Sequence, residues 1–214
     1  LSGEATLWAH LKMTGHFFYL AESIPRDKHD LAVFSLSDGN GRANSFQLRF
    51  NDYRRFGRLR LYSNDELWDQ PGLASLGPEP LEIGSREFVA LCRRRPRMIK
   101  PALLDQSFLA GIGNIYADES LWAARIHPRK LTTRIAPRKL AELHGHLQRL
   151  LRQSISQMGT SVDSYSGVNG QPGGFQKYLL AYNREAQPCT RCGHPIARER
   201  IGSRSAHYCR RCQR

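Results

Sequence analysis

The chain has 214 residues, with 32 Lys and Arg against 19 Asp and Glu, giving a formal net charge of +13. At 40% hydrophobic and 24% charged it has the composition of an ordinary globular protein, which excludes disordered, collagen-like and coiled-coil classes. No apolar run approaches the roughly 18 residues of a membrane span, and the charge excess points to a polyanionic partner, because neutralising phosphates releases counterions.

The chain opens Leu1-Ser2-Gly3-Glu4 rather than with Met, so a missing upstream segment is expected. Residues 4–62 alternate in the manner of strands, with short β runs at 6–11, 31–36, 45–50 and 57–62. Asp38-Gly39-Asn40-Gly41 between the second and third is a hairpin signal. After Gly77-Pro78-Glu79-Pro80 the pattern turns helical. Ser85 is expected to cap a helix over 86–95 that Pro96 stops. A short helix with Pro at its first position is expected over 101–106, and another over 114–124. Residues 137–157 read as a long amphipathic helix whose apolar stripe is Leu140, Leu143, Leu147, Leu150, Leu151 and Ile155. The glycine-rich stretch 159–174 reads as a loop that is mobile without a ligand.

The last segment carries Cys189-x2-Cys192 and, after sixteen intervening residues, Cys209-x2-Cys212. Paired thiolates on two tight turns suit one tetrahedral Zn²⁺, and four thiolates leave no open coordination position, so the zinc is structural. Two disulfides are the competing reading, against which stand the absence of an export signal and the odd Cys92, itself expected as a small buried apolar residue. From 184 to 214 there are eight arginines and two glutamates. A second cluster, Arg93-Arg94-Arg95 with Arg97 and Lys100, runs into the helix at Pro101. Two such patches flanking a helical motif suit a protein that tracks a nucleic-acid backbone.

Lys100-Pro101-Ala102-Leu103-Leu104-Asp105-Gln106 through Gly111-Ile112-Gly113-Asn114-Ile115-Tyr116-Ala117-Asp118-Glu119-Ser120 resembles the helix-two-turns-helix motif of the formamidopyrimidine-DNA glycosylase and endonuclease VIII family. His10-Leu11-Lys12-Met13-Thr14-Gly15, Asp52-Tyr53-Arg54-Arg55-Phe56-Gly57 and Leu76-Gly77-Pro78-Glu79-Pro80-Leu81 resemble its other signature stretches, in the same order, and the C-terminal ribbon matches its zinc finger. The resemblance implies an α+β fold. Its parts would be an incomplete antiparallel β-sandwich over 1–80, a helical DNA-binding domain over 86–182 and a zinc finger over 184–214.

It also implies roles. Asn114 and Arg204 match residues that clamp the DNA backbone around a lesion, and His10 and Lys100 match positions close to the DNA. Met13, Arg54 and Phe56 match the side chains that, in the formamidopyrimidine branch, fill the gap left by an extruded base. The 159–174 loop matches the segment covering the everted base. Tyr116 and Glu119 match supporting positions. The family's Pro and Glu, and a Lys before the strand leading to His10, have no match here, so no catalytic residue is assigned. The chain is expected to be a form lacking the catalytic N-terminus of a bifunctional glycosylase and abasic-site lyase for oxidised purines, able to bind but not to cut. The expected partner is damaged double-stranded DNA, the expected state a monomer off the membrane, and the expected place the bacterial cytoplasm at the nucleoid. Alternatives are an oxidised-pyrimidine glycosylase of the endonuclease VIII branch, a non-catalytic lesion-binding module, and a zinc-ribbon scaffold for protein or RNA.

Overall fold

A computed structural model describes residues 4–38, 40, 42–161 and 172–214. The chain divides into two compact units, one of residues 1–70 and 156–176, the other of 71–155 and 177–214.

The first unit carries strands β1 (Ala5–His10), β2 (His16–Ala21), β3 (Asp30–Ser37), β4 (Ala43–Asn51) and β5 (Arg58–Ser63). β1 pairs with β5, and β4 lies between β2 and β3; all pairings are antiparallel. β2 adds a strand to those expected. Its run Phe17-Phe18-Tyr19-Leu20 does not alternate and so gives no period-two signal. The β3–β4 turn starts as its sequence suggests, with the Asp38 carboxylate accepting the N–H groups of Asn40 and Arg42 at 2.9 and 2.8 Å. Buried Arg49 donates to the carbonyls of Ile24 and Pro25, which fixes the β2–β3 loop on the sheet.

The second unit holds α1 to α6 apart from the four-residue α1 (Asn64–Leu67), which follows β5. It begins with α2 (Pro71–Ala74), then α3 (Ser85–Arg93), α4 (Ile99–Leu104), α5 (Asn114–Ala124) and α6 (Pro137–Ser156). Gly84, in an extended conformation, takes the cap position of α3, so Ser85 is its first helical residue rather than its cap. Met98 caps α4, placing Pro101 third rather than first. That position is still within the first turn, where backbone N–H groups have no intrahelical partner, so proline removes no helix hydrogen bond. α6 buries Leu140, Leu143 and Leu147, but Ile155, expected on the same stripe, is 64% exposed. The core joins these leucines to Phe88, Cys92, Ile99, Leu103, Leu109, Ile112 and Leu121. Burial pushes the Cys92 thiol up to about 12, which makes it an inert apolar residue.

The turn after α4 is held by Asp105, which accepts the Ser107 hydroxyl at 2.7 Å, the Ser107 N–H at 3.0 Å and the Arg97 guanidinium at 2.7 Å. The Ser107 hydroxyl and Arg97 hold its carboxyl down at about 2 against 3.8. A depressed carboxylate stabilises the fold above its unfolded value and loses that contribution as pH falls through the folded one. Melting temperature is therefore expected to fall between pH 3.8 and about 2, and Asp105→Asn should flatten that part of the profile. Its partial exposure keeps the effect modest.

The chain closes with β6 (Ile196–Ile201) and β7 (Arg204–Cys209), paired from Ile196↔Cys209 to Ile201↔Arg204. Gly202, at φ 63, makes the turn between them. Among the described residues no helix is long and apolar enough to cross a membrane.

Candidate nucleic-acid interface

α5 is buried nearly all round, with Ala117, Asp118, Glu119, Ser120, Leu121, Trp122 and Ala124 inside. Gly113 occupies its cap position without a side-chain bond, so Asn114 is the first helical residue and does not cap the helix. The first intrahelical donor of the helix is the N–H of Ala117, bonded to the Gly113 carbonyl at 3.1 Å. The preceding N–H groups and the positive end of the helix dipole are thereby left for an anion. Asn114 Oδ1 is buried without a hydrogen-bond partner among the described residues, an unsatisfied acceptor at this helix terminus.

Two adjacent carboxylates in this apolar helix hold other segments. Glu119 accepts N–H groups from Leu180, Ala181 and Tyr182 at 2.8 to 3.1 Å, which pins the chain before the finger. Burial pushes its carboxyl up, while these three donors favour the ionised form. Glu119→Gln would turn an NH₂ group toward those donors. It is expected to cost about 1–3 kcal/mol, measurable by denaturant unfolding. Asp118 accepts Lys100 Nζ at 2.5 Å through one oxygen and the His207 N–H at 2.9 Å through the other. Lys100 is fully buried and also donates to the Ser205 carbonyl at 2.5 Å. Lys100, which the family resemblance places close to the DNA, is thus held by two partners inside the protein.

The four cysteine sulfurs lie within 4.8 Å of one another, with Cys189 and Cys212 at 4.0 Å and Cys192 and Cys209 at 3.5 Å. Tetrahedral zinc with Zn–S bonds near 2.3 Å requires sulfurs about 3.8 Å apart, whereas a disulfide requires about 2.05 Å. The geometry fits one structural zinc and excludes the paired disulfides. Arg191, between the first two ligands, donates to the carbonyls of Trp122 and Ala123 at 2.6 and 3.1 Å, and lies 3.6 Å over the Trp122 ring. The finger thus closes the C-terminal end of α5.

Beyond the zinc, the hairpin forms a groove of about 530 Å³ lined by Glu185, Arg198, Glu199, Arg200, Arg204 and Ser205. Its glutamates are engaged, Glu185 by Arg198 at 3.3 Å and Glu199 by Arg129 at 2.9 Å. Arg204 is exposed and has no ion-pair partner among the described residues. The net charge presented by the groove is positive, and the unpaired guanidinium suits a phosphate oxygen.

In the β unit, Met13, Arg54 and Phe56 come together. Arg54 lies 3.9 Å from the Met13 sulfur and 4.8 Å from the Phe56 ring, and Met13 and Phe56 are 65% and 53% exposed. An apolar pair bridged by a guanidinium and left in water marks a contact surface rather than core. Buried Asp52 fixes both loops, accepting the Thr14 hydroxyl at 2.5 Å and the N–H groups of Arg54 and Gly57 at 3.2 and 2.7 Å. A Cβ at Gly57 would lie 2.4 Å from the buried Phe50 ring. Gly57→Ala is accordingly expected to cost about 1–3 kcal/mol, read by urea unfolding. His10, at the exposed end of β1, accepts the Lys12 N–H at Nδ1. Partial burial and the Lys12 charge hold its pKa below the ordinary histidine value. The neutral ring therefore carries its proton on Nε2, free to donate to a phosphate. The base-covering loop expected at 159–174 falls largely outside the described residues.

Three family models match the chain: "Formamidopyrimidine-DNA glycosylase N-terminal domain" over 1–59, "Formamidopyrimidine-DNA glycosylase H2TH domain" over 76–166 and "Zinc finger found in FPG and IleRS" over 186–214. The formamidopyrimidine-DNA glycosylase of Pelotomaculum thermopropionicum is 46% identical over 216 residues, an alignment covering all of this chain and 76% of the relative. The chain belongs to the formamidopyrimidine-DNA glycosylase family. The Moorella thermoacetica formamidopyrimidine-DNA glycosylase is 45% identical over 202 residues, covering 94% of this chain and 72% of the relative. Among solved structures, the Lactococcus lactis Fpg G226P mutant in complex with Fapy-dG-containing DNA aligns with TM-score 0.86 and 32% identity. The Lactococcus lactis Fpg in complex with abasic-site DNA gives 0.86 and 33%. Each alignment covers 98% of this chain and 75% of the other. Family membership accounts for the ordered stretches from His10 to Cys212 and for the α+β fold with a four-cysteine finger.

Sequence reasoning missed Asp52, Asp118 and Arg191. Asp118 had a signal: acidic residues inside a helix otherwise rich in apolar residues must find partners. Asp52 and Arg191 act through backbone groups that the sequence does not specify.

Proposed function

We propose that this chain binds damaged duplex DNA in base-excision repair, with oxidised purines as the lesion class. Asn114 with the α5 terminus, Arg204 and His10 hold phosphates, and Met13, Arg54 and Phe56 occupy the space vacated by the everted base. Extruding a base costs a few kcal/mol of stacking, and an apolar wedge beside a cation recovers part of it. The observation that carries the reading is the exposed Met13, Arg54 and Phe56 cluster, fixed from below by Asp52. The zinc ribbon as a protein or RNA scaffold accounts for none of these three residues.

Base excision followed by strand cleavage at the abasic site is the family activity in which this recognition serves. The residues named above serve the recognition step of that activity. The chain acts as a monomer, in the cytoplasm at the bacterial nucleoid. Competition binding with duplexes carrying a formamidopyrimidine, an oxidised pyrimidine or no lesion tests the reading. Tightest binding to the oxidised purine is expected. Equal affinity for all three duplexes would overturn lesion recognition, and preference for the pyrimidine would move the chain to the endonuclease VIII branch. Met13→Ala with Phe56→Ala should erase most of the preference while leaving binding to intact duplex unchanged.

A further inference from the structure

Lys100 lies in a cationic run with Arg93, Arg94, Arg95 and Arg97, yet it alone of these is wholly buried. Burying an ammonium is costly unless charge and hydrogen bonds compensate it. Both partners are in reach, the Asp118 carboxylate and the Ser205 carbonyl, each at 2.5 Å. Asp118 in turn holds the His207 N–H at 2.9 Å and lies within 3.2 Å of His207 Nδ1. Residues 205 and 207 are thereby fixed on β7, immediately after Arg204. Asp118 also stands four residues, about one helical turn, from Asn114 on the same face of α5.

We infer that Lys100 is a positioning residue for Arg204: through Asp118 and the Ser205 carbonyl it sets the backbone from which that guanidinium reaches a phosphate. The inference rests on the proposed role of Arg204 as a phosphate contact. A merely exposed hairpin tip would leave Arg204 free over many orientations, and each would need ordering at the moment of binding. With β7 locked to α4 and α5, the arginine on the finger and the anion-binding terminus of α5 are parts of one rigid body. Of the neighbouring arginines, Arg93, Arg94 and Arg95 are exposed and make the ordinary electrostatic contribution of a basic face, while Arg97 is half-buried and paired with Asp105.

The test is a double-mutant cycle on the zinc-loaded chain. Lys100→Met, Arg204→Gln and the pair are measured for binding to an abasic-analogue duplex across a salt series, with zinc content and melting recorded for each. Each phosphate contact contributes about −0.9 to the slope of log K against log salt. Arg204→Gln should weaken binding about tenfold and lower the slope by about one contact. Lys100→Met should do the same although Lys100 touches no DNA, and the double variant should be no worse than Arg204→Gln. With Asn114→Ala, in contrast, the Lys100→Met effect should add. An unchanged slope with a lowered melting temperature makes Lys100 a stability residue and overturns the inference. Additive slopes for Lys100 and Arg204 show a direct contact and overturn it as well. If Lys100→Met loses zinc, Lys100→Met with Asp118→Asn, which leaves no unpaired buried charge, is measured in its place. Zinc loss in both assigns Lys100 to folding alone. If Arg204→Gln itself changes nothing, the proposed function fails; if only Lys100→Met changes nothing, the positioning role fails alone.

Discussion

Chelation of the zinc, or Cys209→Ser, is expected to abolish specific DNA binding and to release the finger from α5. The hairpin has two six-residue strands, and beneath it lies a small apolar cluster of Trp122, Ala181, Cys189, Ile196 and Cys209. A segment of that size folds through its metal, whose binding contributes about 10–16 kcal/mol in comparable finger peptides, as much as the whole stability of a typical domain. Loss of the metal frees Arg204 from its setting and removes the Arg191 contacts that close α5 at Trp122 and Ala123. The measurement is tryptophan fluorescence beside duplex affinity during chelation. Trp122, packed under Arg191, should shift as binding falls, and restored zinc should recover both. Undiminished binding by the metal-free chain would refute the finger's part in the interface.

Asn114→Asp is expected to separate folding from function. A carboxylate in the first turn of α5 interacts favourably with the helix dipole, stabilising the helix by about 0.3–1 kcal/mol. The same charge occupies the place of a phosphate and repels it. Loss of a hydrogen bond to a charged group, about 1.5–3 kcal/mol, combined with the like-charge penalty gives a loss of affinity of roughly a hundredfold or more. Melting temperature should therefore hold or rise slightly while duplex binding collapses. Asn114→Ala should show the smaller binding loss without the stabilisation. A variant that binds as well as the parent would place the phosphate elsewhere.

Much of this was legible in the sequence because it is written in local spacing. The cysteine pairs announced a tetrahedral thiolate site, and the strands at β1, β3, β4 and β5 announced themselves by alternation. β2 did not, since a run of consecutive aromatics has no period. The helix starts were misplaced where glycine or methionine backbone, rather than a polar side chain, takes the cap at Gly84 and Met98. Lys100 shows the limit most clearly. Within its own stretch it is one more basic residue, and only Asp118, eighteen positions on, and Ser205, more than a hundred positions on, make it internal. Met13 and Phe56 are apolar yet exposed, on loops that the Asp52 carboxylate ties together, a pairing of residues 14 and 57 that no local spacing reveals.

The central claim is that this chain recognises damage in duplex DNA through a phosphate clamp and a void-filling wedge. It is tested most directly by equilibrium binding of the zinc-loaded chain to a duplex with a single abasic analogue, to the intact duplex and to single-stranded RNA, across a salt series. The abasic duplex should bind tightest, with affinity falling steeply as salt rises because several phosphate contacts release counterions. Equal affinity for the two duplexes, or RNA competing as well as the abasic duplex, would contradict the claim.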